Sequence, residues 1–430
     1  MTQNKIYFVS LGCDKNRVDS EEMLGHLKSA GFSFTYDEAE ADIIVVNTCA
    51  FIDAAKEESI ETILEMAKYK KEGNLKKLIV AGCLAERYKD EILKELPEID
   101  EIVGVNELPK IVEKAGAEFK NEKKERVLTT GGHYEFLKIS EGCSKFCTYC
   151  AIPYIRGKFR SFPMEEILEE AKSLASMGVK ELIIVAQDST LYGIDIYGEK
   201  RLPLLLKELC KIEGIEWIRI LYCYPEEITE ELLKVIAEEE KICNYLDIPI
   251  QHASDNVLKR MGRKTNHDDL VRIIKKTREI IPDVVLRTTL ISGFPGETKE
   301  DHEILVDFVK EMKFNRLGDF TYSREEGTPA YKFPDQIEDE IKEERRDEIM
   351  ALQETISLEN NKALIGKVLD AFVEGKIADE DVYVARTYMD APDVDGCFFI
   401  KAERELLSGD IIKAKVTDAN AYDLIGEIVN

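Results

Sequence analysis

Phe136-Leu-Lys-Ile-Ser140 runs directly into Glu-Gly-Cys143-Ser-Lys-Phe-Cys147-Thr-Tyr-Cys150. The first five residues read as a buried strand, and helical sequence resumes after the last cysteine, which leaves three cysteines in a loop between strand and helix. Three soft thiolates within eight residues suit an iron-sulfur site better than a structural role. Three ligands rather than four also leave one iron of a cubane cluster with an open position, where a substrate or cofactor can bind. A zinc site completed by a histidine, with His133 nearest, is the competing reading.

Working outward, strand-like runs at 136–140, 181–186, 217–223, 245–251, 284–293 and 316–322 are each followed by a helix-like stretch. Six β/α units fit an open or partial barrel, (β/α)6, better than a closed eight-unit one. Upstream, strand candidates 6–9, 43–46, 78–81 and 102–105 alternate with helical patterns at 18–30, 53–69 and 84–96, which predicts a small doubly wound parallel sheet. Cys13, Cys49 and Cys83 each fall just past one of these strands, at the edge of a parallel sheet where ligands bind. Core cysteines would not repeat one topological position three times, so a second three-cysteine cluster is the better reading. Each also precedes a helical segment whose free amides favour thiolate and sulfide, and Gly12 and Gly82 permit close backbone approach. Cys210, Cys223, Cys243 and Cys397 have no such company and read as small buried hydrophobes.

Charge dominates Glu118 to Arg126, with Gly131-Gly132 following, which marks a linker. The charged stretch 338–362 lacks Gly and Pro and reads as a connecting helix. From 363 to 430 short alternating segments between Gly-containing turns predict a small antiparallel barrel. The expected division is therefore 1–128, 129–337, 338–362 and 363–430. The loop 292–298, Ser-Gly-Phe-Pro-Gly-Glu-Thr, has turn chemistry that either approaches a ligand or simply reverses the chain.

The 430 residues contain ten cysteines, and no apolar run approaches the roughly 18 residues that would span a bilayer. With neither a cationic leader nor a long apolar stretch at the start, the expectation is a cytoplasmic protein with no membrane association, whose cysteines stay reduced and available for metal. The formal net charge of −26 opposes nucleic acid at long range and favours basic partners.

Cys143-Ser-Lys-Phe-Cys147-Thr-Tyr-Cys150 resembles the CxxxCxxC signature of radical S-adenosylmethionine (SAM) enzymes, whose usual fold is a partial barrel. With both cysteine sets placed, essentially the whole chain resembles the methylthiotransferases, which join an N-terminal cluster domain, a radical domain and a C-terminal TRAM domain. Ser10-Leu-Gly-Cys13-Asp-Lys-Asn16-Arg-Val-Asp19-Ser-Glu21, Val46-Asn-Thr-Cys49-Ala-Phe-Ile52 and Ala385-Arg-Thr-Tyr-Met-Asp-Ala-Pro-Asp-Val-Asp-Gly396 look like the RimO branch. Asp14 departs from it, since proline is common there. The resemblance implies two 4Fe-4S clusters and SAM as cofactors. One cluster, on Cys13, Cys49 and Cys83, would carry sulfur or methylthio; the other, on Cys143, Cys147 and Cys150, would be reductive and catalytic. It also implies transfer of a methylthio group to the β-carbon of an aspartate of small-subunit ribosomal protein S-twelve, free or in the subunit, with a low-potential donor such as flavodoxin or ferredoxin.

Tyr149 takes the place where family members set an aromatic near the adenine. Gln187, Asp188, Gln251 and Arg287, at predicted carboxyl ends of barrel strands, are further candidates for SAM contact, with capping or surface roles as the alternative. A tRNA-adenosine-modifying branch would need a terminal domain that engages a polyanion. Residues 363–430 instead carry 14 acidic and 7 basic side chains, which suits a basic protein and disfavours nucleic acid as direct substrate. A non-catalytic iron-sulfur carrier would normally ligate every iron with protein groups, and the three-cysteine count opposes it.

Overall fold

The computed structural model describes residues 4–118 and 126–429, so most of the predicted linker, 119–125, lies outside the described residues. The chain groups into two compact units: residues up to 129 with 141–159 and 325–328, and the remainder. The cysteine loop thus belongs to the first unit although its sequence interrupts the second.

The first unit is built on a parallel sheet of β1 (Lys5–Ser10), β2 (Ser33–Phe34), β3 (Ile43–Thr48), β4 (Lys77–Gly82) and β5 (Glu101–Val103), ordered β2-β1-β3-β4-β5. Both faces are covered, as the continuous apolar strands require. Ile44, Val46, Leu78 and Val80 pack with Ile63 and Met66 of the helix Asp53–Ala67 on one face. Ile43, Val45, Ile79 and Ala81 meet Met23 and Leu27 of the helix Asp14–Ser29 on the other. This is the expected doubly wound sheet. Ser10 lies opposite Asn47 and Thr48 opposite Gly82, so the three strands that lead to cysteines end nearly level. The predicted helix 84–96 is two helices, Cys83–Arg87 and Lys89–Glu95, because Tyr88 leaves helical geometry at φ −127° and ψ 28°. The edge strand β2, two residues long, is too short to show an alternation.

In the second unit β6 (Tyr134–Lys138) opens a six-stranded parallel sheet. Two short strands, β7 (Ser140–Glu141) and β8 (Arg160–Ser161), bracket the cysteine loop in sequence. The sheet continues through β9 (Glu181–Val185), β10 (Trp217–Ile220), β11 (Ile242–Asp247), β12 (Val285–Ser292) and β13 (Arg316–Thr321), ordered β13-β12-β11-β10-β9-β6. The end strands β6 and β13 do not pair, so the barrel is partial, as expected. The strand predicted at 245–251 begins and ends earlier, because Pro249 has no amide to donate and Gln251 turns to φ +71°.

The 24-residue helix Asp339–Lys362 then leads to β14 (Val368–Lys376), β15 (Val382–Thr387), β16 (Phe398–Lys401), β17 (Ile411–Ala419) and β18 (Leu424–Ile428), which close into a barrel. Its pairs are antiparallel except β16 with β18, which is parallel. Along β17 Ile412, Ala414 and Val416 are buried at alternate positions, the period of a strand with one face inward. Among the described residues no helix is long and apolar enough to cross a membrane.

Candidate cluster sites

The level strand ends of the first unit set the three N-terminal cysteines along one edge. Cys13 caps the helix Asp14–Ser29, Cys83 is the first residue of the helix Cys83–Arg87, and Cys49 stands just before the helix Asp53–Ala67. Cys13 is exposed, whereas Cys49 and Cys83 are buried. The backbone comes close only because two residues lack a Cβ. At Gly12, φ +87°, an added Cβ would lie 2.8 Å from the Cβ of Cys49; at Gly82, φ +90°, it would lie 2.6 Å from the Thr48 carbonyl oxygen.

Side chains around the cysteines lock these loops. Asn16 donates through Nδ2 to the carbonyls of Leu11 (2.6 Å) and Thr48 (3.3 Å), which ties the approach to Cys13 to the approach to Cys49. Asn47 donates in turn to the Asn16 carbonyl and to Ser20. The Cys49 amide donates to Ser59 Oγ at 3.0 Å, and Arg87 donates to the carbonyl of Ala50. Burial pushes the Cys49 thiol up, and that of Cys83 up to about 12, with the Arg156 guanidinium opposing the latter. A metal that binds thiols held this way has to displace their protons.

The second set lies in the loop that the sequence singled out. Cys143 and Cys147 are buried and Cys150 is half-buried. The Cys143 amide donates to the Gly157 carbonyl at 3.1 Å, and that of Cys150 to the Cys147 carbonyl at 3.0 Å. The Lys145 amide approaches Cys143 Sγ at 3.5 Å, and Phe146 takes up φ +51°, a left-handed conformation that an aromatic residue rarely adopts. Ala151 and Ile155, just beyond the loop, pack into the apolar cluster that contains Cys83. No three His, Cys, Asp or Glu side chains among the described residues converge as the ligands of a single ion would. The zinc reading also loses its histidine: His133 Nε2 pairs with Glu374 at 2.8 Å and Nδ1 with Ser408 at 3.2 Å.

The remaining candidates occupy different settings. Tyr149 sits between Cys147 and Cys150. Gln187 and Asp188 follow the carboxyl end of β9, and Asp188 accepts hydrogen bonds from the amide and hydroxyl of Thr190, a capping role. Gln251 bridges to β12 with its amide nitrogen on the Thr289 carbonyl at 2.9 Å, and its positive φ is strain of a kind that collects at functional sites. Arg287 departs from expectation. It is the third residue of β12, opposite the first residue of β13, and so stands toward the amino edge of the sheet. There it is paired with Asp247 at 2.9 Å and Asp395 at 3.5 Å, a structural use of its charge.

Sequence reasoning missed the supporting residues. Asn16, Asp19 and Asn47 lie inside the quoted motifs, but only their hydrogen bonds reveal what they do. Glu297 likewise latches the 292–298 loop, where it accepts the amides of Gly293 (2.7 Å) and Phe294 (3.0 Å) and pairs with Arg345.

Comparison with known proteins matches residues 5–104 to the uncharacterized protein family UPF0004, 137–309 to the radical SAM superfamily and 365–429 to the TRAM domain. The chain is 57% identical to the ribosomal protein uS12 methylthiotransferase RimO of Lachnoclostridium phytofermentans, over 98% of this chain and 99% of that protein. It is 53% identical to the protein of that name from Acetivibrio thermocellus, over 100% and 99%. The RimO of Clostridioides difficile is 50% identical over 99% of each. Among solved structures, the radical S-adenosylmethionine methyltransferase TsrM from Kitasatospora setae superposes with a TM-score of 0.57 over 76% of this chain and 77% of that one, at 14% identity, a likeness of fold.

Proposed function

The chain belongs to the RimO family of ribosomal protein uS12 methylthiotransferases, and from that premise we propose how its residues divide the work. It is a radical SAM enzyme that transfers a methylthio group to uS12, with SAM and 4Fe-4S clusters as cofactors. Cys143, Cys147 and Cys150 hold the reductive cluster, and Cys13, Cys49 and Cys83 hold the one that carries sulfur. The observation that carries this division is the level ending of β1, β3 and β4, which lines three cysteines along one sheet edge separately from the CxxxCxxC loop.

Held at these thiols, the clusters would supply the reducing electron for SAM and the sulfur for transfer to the β-carbon of the substrate aspartate. The protein's own contribution is placement and exclusion of water. Gly12 and Gly82 let the cysteine loops approach, Asn16 and Ser59 fix their amides and carbonyls, and the left-handed turn at Phe146 sets the spacing of the second loop. Tyr149, Gln187, Asp188 and Gln251 are the proposed contacts to SAM; Arg287 is left out because its charge is already spent on two carboxylates.

The reaction takes place in the cytoplasm with a low-potential donor such as flavodoxin or ferredoxin, and the substrate is uS12 free or within the small subunit. Its test is anaerobic incubation of reconstituted protein with SAM, sulfide, reductant and either a uS12 peptide or tRNA, followed by mass spectrometry. A gain of one methylthio group on the peptide aspartate is expected; modification of tRNA alone would overturn the assignment.

A further inference from the structure

Arg156, six residues beyond Cys150, has a side chain only 1% exposed. Its Nη1 donates to Asp19 Oδ2 at 2.9 Å and to both carboxylate oxygens of Glu141 at 3.1 Å. Its Nη2 donates to Asn16 Oδ1 at 3.2 Å and to Cys83 Sγ at 3.5 Å. All of these groups lie in the first unit.

A buried charge is costly even when paired, and neutral packing would often serve stability as well. The two carboxylates and Asn16 account for the orientation of the guanidinium but not for the contact that this orientation delivers. With Nη1 held by the carboxylates, the rigid fork aims Nη2 at sulfur; a lysine has no second nitrogen to send there. The partners are the same residues that order the N-terminal loops, since Asn16 also ties Leu11 to Thr48. The neighbouring Gly157 carbonyl receives the Cys143 amide. Two consecutive residues therefore touch both cysteine sets, one by side chain and one by backbone.

We infer that Arg156 is a positioning residue of the N-terminal cluster, donating an N–H···S hydrogen bond to the ligand sulfur of Cys83 and thereby raising that cluster's reduction potential. The inference rests on the assignment of Cys13, Cys49 and Cys83 as cluster ligands. A hydrogen bond and a cation at ligand sulfur stabilise the more negative, reduced cluster, and such neighbours are among the determinants of iron-sulfur potentials.

The test uses the full chain with Cys143→Ala, Cys147→Ala and Cys150→Ala together, so that reconstituted iron resides on the N-terminal cysteines alone. Iron per chain is measured, and the midpoint potential is read by redox titration followed by electron paramagnetic resonance, with Arg156 intact, as Arg156→Lys and as Arg156→Met. The expected result is a lower midpoint potential in both variants, further down in Arg156→Met, whose iron affinity falls roughly 10- to 100-fold. Arg156→Lys keeps the charge and most of the volume, and decides the matter if Arg156→Met loses its iron. Unchanged potentials with full iron would overturn the inference, and so would loss of iron from both variants, which would make Arg156 purely architectural. If the protein with Arg156 intact bound no iron, the cysteine assignment itself would fall, a result distinct from either.

Discussion

Gly82 shows how much one hydrogen atom decides at this site. It holds φ +90°, and an added Cβ would meet Asn47 Oδ1 at 2.2 Å and the Thr48 backbone at 2.6 Å. Gly82→Ala should therefore cost about 1–3 kcal/mol of stability from backbone strain alone and reduce iron at the N-terminal site, as urea unfolding and iron analysis would reveal. Cys49→Ala should remove one cluster's iron and abolish methylthio transfer while 5′-deoxyadenosine release continues; retention of all iron would contradict the two-cluster assignment. His252 makes a different residue-scale statement. Burial lowers its pKa to about 3, outweighing nearby Asp301, while its Nδ1 accepts the Ser254 amide at 3.0 Å. The unfolded chain, with an ordinary imidazole near 6.5, binds a proton that the folded chain refuses between about pH 6.5 and 3. Stability is thus full above pH 6.5 and falls on acidification by about 1.4 kcal/mol per pH unit from this group. His252→Asn should flatten the acid limb of a denaturant-midpoint profile.

At the scale of elements, local signals set the starts of some helices. Asn266 accepts the Asp269 amide while Asp269 accepts the Asn266 amide, a reciprocal box at the head of the helix His267–Ile280. Asn266→Ala should cost about 1 kcal/mol, visible as a lower thermal midpoint with cluster content unchanged. The same local chemistry explains where the sequence misled. The strand expected at 245–251 stops at Asp247 because a proline and a left-handed Gln251 interrupt its ladder. The helix expected at 84–96 breaks at Tyr88, which apolar spacing alone does not reveal. Arg287 was misplaced on position alone: it is the third of eight residues in β12 and so lies far from the carboxyl edge.

In the molecule as a whole, buried charge ties the terminal barrel to the six-stranded sheet. Glu181, fully buried in β9, accepts from Arg219 Nε at 2.8 Å and from Arg386 Nη2 of β15 at 2.7 Å; the two guanidiniums hold its carboxyl below the usual range. Glu181→Gln strips the compensating charge from two buried arginines and should cost about 3–5 kcal/mol, measured as a lower denaturant midpoint. Arg316 and Asp390 make a second such link at 2.6 Å. This bears on the acidic surplus of residues 363–430. Glu374, Asp390 and Asp395 are engaged in pairs with His133, Arg386, Arg316 and Arg287, so the surface offered to a basic partner is less acidic than the count suggests.

What the sequence determined by itself is what local chemistry and periodicity encode. The alternation of strands and helices, the period-2 barrel strands, the CxxxCxxC loop and the repeated placement of Cys13, Cys49 and Cys83 after strands were all legible, because each depends on neighbours within a few positions. Only the tertiary structure decided which unit the cysteine loop packs with, that Arg287 is a structural ion pair, and that Arg156 reaches Cys83. Those contacts join residues 40 to more than 100 positions apart, and buried polar groups choose partners by proximity in the fold, for which a linear sequence carries no periodic mark.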